Sequence, residues 1–109
     1  MDWVKEFPVA ITVCDRQGVI IEMNDKAAHT FAADGGLELI GHNLKDCHKP
    51  SSWEKILEIM DTGTANTYTI EKNGLKKMII QQPWYKENEV AGVVEMSIIL
   101  PEVLPHHVR

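Results

Sequence analysis

Val13-Cys14-Asp15-Arg16-Gln17-Gly18-Val19-Ile20-Ile21-Glu22-Met23-Asn24-Asp25-Lys26-Ala27-Ala28 decides how this chain folds. Two apolar runs, Ala10 to Cys14 and Val19 to Met23, flank Asp15-Arg16-Gln17-Gly18, where Asp suits the first position of a type I turn and Gly the fourth. The pattern predicts a tight β-hairpin. Asn24 follows at once as a helix N-cap, its side-chain oxygen placed to accept a backbone N–H that the first helical turn leaves unpaired. Asp25 then sits at the positive end of the helix dipole, and Ala27, Ala28 and Phe31 supply a small apolar face.

Ahead of the hairpin, Trp3, Val4 and Phe7 form an apolar set at helical spacing that Pro8 ends, so residues 1–8 read as a short flanking helix or turn. Behind it, Ala32-Ala33-Asp34-Gly35-Gly36 is a flexible break. The next helix carries clear end signals. Ser51 and Glu54 have capping-box spacing, Trp53, Ile56, Leu57 and Met60 fall at i, i+3, i+4 and i+7, and Gly63 is placed for a left-handed C-terminal residue.

From Thr64 the period changes to two. Tyr68 and Ile70 alternate with Thr67, Thr69 and Glu71, and Asn73-Gly74 is a strong hairpin signal. A strand from Leu75 to about Tyr85 follows, with Pro83 best tolerated at an edge or bulge. Beyond the polar turn Lys86-Glu87-Asn88-Glu89, the strand from Val90 to Leu100 places Gly92, Val94, Met96, Ile98 and Leu100 on one face. As the most apolar strand it belongs in the middle of a sheet. Two early strands, intervening helices and three late strands predict an α+β domain, a five-stranded antiparallel sheet with helices packed on one face.

The Asp-x-x-Gly-x-Ile, Asn, Ala-Ala spacing continues through Leu39-Ile40-Gly41, the helix near Ser52 and three later strands. In that order it resembles a PAS domain, from about Phe7 to Leu100. The resemblance implies a domain over residues 9–100 with a tail at 101–109, pairing of the first and last strands, and short irregular helices from Leu37 to Leu44 walling a ligand cavity. It also implies a sensory or signal-relay module that is not an enzyme. Such modules use the flanking N-terminal segment to form homodimers, with Trp3 and Phe7 as anchors here, or they contact a separate signalling protein. The simpler role of that segment is to cover an edge of the domain's own sheet.

Length and composition restrict the function further. One domain fits 109 residues, with 44% apolar and 25% charged residues, as in an ordinary globular protein. A net charge of −5, with Lys76-Lys77 as the only basic pair inside a fold element, argues against nucleic acid as a partner. No apolar run approaches the roughly 20 residues that span a bilayer. The acidic start Met1-Asp2-Trp3-Val4-Lys5-Glu6 lacks a signal-peptide pattern, so the expectation is a cytoplasmic protein with no membrane contact and with Cys14 and Cys47 as free thiols.

The segment Asp46-Cys47-His48-Lys49-Pro50-Ser51 resembles a subset of bacterial PAS domains that carry Cys-His-x-Pro-x-Ser at this point. His48 reads in two ways. It faces the cavity and offers an imidazole to haem iron, as the resemblance to haem-binding members implies, or it packs the turn and bonds to backbone carbonyls. One histidine without a second ligand or a basic pair for the propionates favours packing.

Leu44 stands where covalent haem attachment needs a cysteine and where flavin-binding photosensors carry their reactive one, which argues against both. Cys14, His29, His42, Cys47 and His48 show no zinc-ligand spacing, so no metal site is expected unless His48 holds haem. Cys47 has a redox-sensing reading, with His48 or the helix N-terminus lowering its pKa, but no base or oxyanion donors accompany it for catalysis.

The expected ligand-binding residues are Phe31, Leu39, Ile40, Leu44, His48, Ile56, Met60, Met78 and Met96, drawn from an apolar set that also includes Ile11, Val13, Ile20, Leu57, Ile80 and Val94. Several methionines suit a pocket for a flexible apolar molecule whose identity the sequence leaves open. The alternative is a core filled by these side chains, which leaves a ligand-free interaction domain.

Overall fold

The computed structural model describes residues 1–47 and 49–109, with Cys47 as backbone only. Ala10–Asp15 (β1) and Ile20–Met23 (β2) form the antiparallel hairpin, closed by the Gly18 N–H donating to the Asp15 carbonyl at 3.0 Å. Asp15 Oδ1 accepts from the Gln17 and Val19 N–H groups at 2.9 and 3.0 Å, so the aspartate holds the turn that it opens. Gly18 has φ +86°, and a Cβ there would lie 2.5 Å from the Trp53 ring. Both the backbone and the space require glycine.

Asn24 caps α1 (Asp25–Thr30), its Oδ1 accepting from the Ala27 N–H at 3.0 Å. The same oxygen accepts from the Ile11 N–H at 2.9 Å, while the amide nitrogen lies within 3.3 Å of the Val4, Phe7 and Val9 carbonyls. Asn24 is only 2% exposed, so one buried side chain joins the N-terminal segment, β1 and α1. Residues 3–6 form turns.

Two 3₁₀ turns, Ala32–Asp34 and Gly36–Leu39, lead to a one-turn helix α2 (Leu44–Cys47). Between them the chain runs along the outer edge of β2. Gly41 N–H donates to the Ile20 carbonyl at 2.7 Å, Ile20 N–H to the His42 carbonyl at 2.9 Å, and Leu44 N–H to the Gly18 carbonyl at 2.8 Å. These bonds cover a strand edge that is otherwise open to pairing.

The long helix α3 spans Pro50–Thr62. The capping box expected at Ser51 and Glu54 does not form: Lys49 is the N-cap without a side-chain hydrogen bond, and Pro50 occupies the first turn. Proline's fixed φ is already helical there and its missing N–H needs no partner, so the helix starts two residues earlier than the serine signal implies. Ile56, Ile59 and Met60 are buried, whereas Leu57 is 43% exposed. The inward stripe is therefore turned by about one residue from the one expected. Gly63 ends the helix at φ +70°, its N–H bonding to the Ile59 carbonyl at 2.9 Å.

β3 (Asn66–Lys72), β4 (Leu75–Lys86) and β5 (Glu89–Ile99) complete a five-stranded antiparallel sheet of order β2-β1-β5-β4-β3. The last strand is central and pairs with the first, so the ends of the chain close the sheet. Asn73 and Gly74 make the β3–β4 turn with φ +53° and +77°. Pro83 lies past Gln81, the last β4 residue paired with β3, and beside a bulge at Trp84/Tyr85. Its missing N–H falls where β4 has only one neighbour.

The helices pack on one face of the sheet. Between the two layers lies a core of Ala10, Cys14, Ile20, Met23, Ala27, Leu44, Ile56, Ile59, Met60 and Val93. Residues 101–109 are exposed and carry no regular element.

Candidate ligand cavity

Strand register puts one transverse row of residues across all five strands: Met23, Thr12, Glu95, Gln81 and Asn66, each directly opposite the next. Directly opposed residues share a sheet face, so the row projects together toward the helices. Asn66 Nδ2 donates to Gln81 Oε1 at 2.8 Å, and Gln81 Nε2 donates to Glu95 Oε1 at 3.1 Å. A polar ladder thus links β3, β4 and β5 on the inner face of the sheet.

Above that row is a cavity of about 480 Å³. Its floor is Thr12, Cys14, Ile20, Met23, Tyr68, Gln81, Val93 and Glu95 from the sheet, and its roof is Phe31, Leu39, Leu44 and Ile56 from the helical side. Asp34 and Ser52 add polar groups. The volume lies within the usual range for small-molecule sites, and the mixture of apolar walls with a few convergent polar groups is what orients a bound molecule.

Of the residues expected to contact a ligand, Phe31, Leu39, Leu44 and Ile56 line this cavity. Met60 is buried in the core but is not among the lining residues. His48 lies outside the described residues. Ile40, next to the lining residue Leu39, is 41% exposed and is not among the lining residues.

Met78 and Met96 are corrected outright. Met96 pairs with Ile11 and Ile80, and Met78 with Ile98, in rows that alternate with the inward-facing one, so both methionines lie on the sheet's opposite face. The set Gly92, Val94, Met96, Ile98 looked like the interior because it is the more apolar. The inward residues are Val93 and Glu95. Composition misled because a parity error of one residue exchanges the two faces of a strand.

Thr12, Gln81, Tyr68 and Glu95 were missed. The available signal was a carboxylate placed mid-strand between Val94 and Met96, and a glutamine pair after Ile79-Ile80, since charged and amide side chains in a central strand need partners.

The electrostatics of the cavity follow from burial and from Glu95. Burial pushes the Cys14 thiol above its ordinary 9.0, and the Asp15 and Glu95 charges push the same way, so this buried free cysteine stays protonated and unreactive at neutral pH. Burial, then the Glu95 charge, pushes the Tyr68 phenol above its ordinary 10.0.

Among the described residues no group of three or more His, Cys, Asp or Glu is arranged to hold a metal ion. The described lining also fits haem poorly, since it contains two acidic side chains, Asp34 and Glu95, and no basic one for the propionates. No helix among the described residues is long and apolar enough to cross a membrane.

No family model matches the sequence, and no curated protein matches it. Solved structures do. The VqmA dimer of Vibrio cholerae, a LuxR-type receptor with a target DNA, superposes with a TM-score of 0.72 at 14% identity, over 93% of this chain and 50% of that one. A PAS domain from Colwellia psychrerythraea gives 0.65 at 22% identity, over 91% and 92% of the two chains. A Vibrio cholerae receptor described as a dual PAS-heme oxygen sensor gives 0.66 at 17% identity, over 85% and 95%. This chain thus spans half of VqmA's length and nearly all of the other two. At these identities the likeness is one of fold.

Proposed function

We propose that this chain, which has the PAS fold, is a cytoplasmic sensory or signal-relay module that binds a small molecule in the cavity. The observation that carries the reading is a cavity of about 480 Å³ with an apolar roof and a hydrogen-bonded polar row across its floor. Binding acts through different affinities for two arrangements of the domain. The sheet is the natural route outward, because Thr12, Gln81 and Glu95 line the cavity while their strand neighbours Val13, Ile80, Val94 and Met96 make a half-buried apolar patch on the other face, beside the buried Ile11. That patch is the surface for a homodimer or a separate signalling protein. The reading includes no catalytic step, no membrane contact and, given a net charge of −5, no nucleic-acid contact by this domain.

Native mass spectrometry of the gently purified full chain tests this. A small molecule retained on the folded protein and released on unfolding is the expected result. A bare protein that also takes up nothing from a cell extract overturns it.

The apolar outer face also favours a second reading, a ligand-free interaction domain that only presents this sheet surface. It predicts a bare dimer that dissociates when the outer face is charged.

A further inference from the structure

Resting on the cavity reading above, we propose that the cavity selects molecules that bring a hydrogen-bond donor, an ammonium or a ring or amide N–H, to Glu95 from a compact apolar body, and rejects carboxylates and phosphates. The polar row has a direction. Gln81 turns its amide N–H toward Glu95 and its carbonyl oxygen toward the Asn66 amide, so both steps pass a donor toward the carboxylate. An ionised carboxylate only accepts hydrogen bonds, which fixes that order from the Glu95 end. Reversing Gln81, 9% exposed, would press its oxygen against the carboxylate.

The row therefore presents an acceptor at the middle of the floor. A carboxylate accepts up to about four hydrogen bonds, so a ligand donor joins the partners Glu95 already has. Thr12 stands opposite Glu95 on β1 with a hydroxyl that both donates and accepts, which suits a ligand carrying a second polar atom. Phe31, Leu39 and Ile56 on the opposite wall receive the apolar body. An anion entering this space gives up water and meets Asp34 and Glu95, with no basic side chain among the described lining residues to replace its hydration. A cation or neutral donor instead gains a charge-assisted hydrogen bond.

Ligand-observed NMR on the full chain tests this with probes of matched body: benzylamine, 2-aminopyridine and tryptamine against benzoate, phenyl phosphate and indole-3-acetate. The donors are expected to bind at least about tenfold more tightly than the acids, and Glu95→Gln is expected to weaken the donors by about tenfold, the scale of a hydrogen bond to a charged group. Acids that bind as well as donors, or donor binding indifferent to Glu95→Gln in a folded variant, overturns the proposal while the cavity reading stands. Should Glu95→Gln not fold, the ranking on the unaltered protein decides alone. If no probe of either class binds, the selectivity proposal falls, and the cavity reading is decided separately by ligand retention in native mass spectrometry.

Discussion

Trp84 Nε1 donates to the Cys14 carbonyl oxygen at 2.9 Å, reaching from β4 across Gly92 of β5 to β1. The indole passes where Gly92 has no side chain. A Cβ there would run into the Cys14 carbonyl and lie 2.7 Å from the indole nitrogen. Gly92→Ala is expected to cost about 3 kcal/mol or more, as strand backbone and indole have to separate. Trp84→Phe is expected to cost about 1 kcal/mol for the lost hydrogen bond. Urea unfolding measures both, and a small effect from Gly92→Ala contradicts the close approach.

Asn24→Asp separates the two ends of one side chain. The variant keeps the oxygen that caps α1 and receives the Ile11 N–H, but sets a second oxygen against the Val4, Phe7 and Val9 carbonyls. At neutral pH the expected loss is about 3 kcal/mol, the scale of a buried charged group with misplaced partners. Protonating the new carboxyl restores a donor, so the gap from the unaltered protein narrows in acid. Thermal unfolding at the two pH values reads this, and a gap that widens in acid contradicts it.

Alkaline pH is expected to weaken the fold. Cys14 and Tyr68 both titrate above their ordinary 9.0 and 10.0 when folded, chiefly through burial. As pH rises, the unfolded chain therefore loses each proton first. Their contribution is complete below pH 9.0, falls as pH passes the ordinary values, and is gone once the folded thiol and phenol ionise. A urea midpoint followed upward from neutral pH should be level and then decline, with a shallower decline in Tyr68→Phe. A midpoint that rises above pH 9.0 has the wrong sign.

Charging the outer face separates association from ligand uptake. Met96→Asp sits opposite Ile11 and Ile80 in the apolar patch, on the face away from the cavity. Self-association is expected to weaken by about tenfold or more, the loss typical of an interface anchor, while benzylamine binding is retained. Sedimentation velocity and the NMR assay check the two halves. An unchanged sedimentation coefficient would remove this face from the interface.

The sequence was most readable where one residue type has one job. Gly18, Asn24, Gly63 and Asn73-Gly74 were legible because a left-handed φ or an N-cap restricts the choice to a few side chains. Faces were harder to read. β5 is apolar on its outer side through Val94, Met96 and Ile98 and carries Glu95 on the inner one, so the usual guide, greasy inward and polar outward, pointed the wrong way. The same cause moved Met78 and Met96 off the cavity and concealed Thr12 and Gln81, whereas Tyr68, apolar between two threonines, does face inward as the guide implies. At α3, Pro50 outcompeted Ser51 for the start of the helix because its ring already supplies the helical backbone angle.

Asn24 also determines what a tug on the first residues does. The Val4, Phe7 and Val9 carbonyls meet its amide nitrogen, the Asp25 N–H donates to the Lys5 carbonyl at 2.9 Å, and Lys5 Nζ pairs with the Asp25 carboxylate at 3.0 Å. The helix fastened there runs into Phe31, part of the cavity roof. Strap and roof therefore share two adjoining rivets, Asn24 and Asp25: force applied ahead of Val9 is handed to the start of α1, and through that helix to Phe31 above the cavity, for as long as these bonds hold.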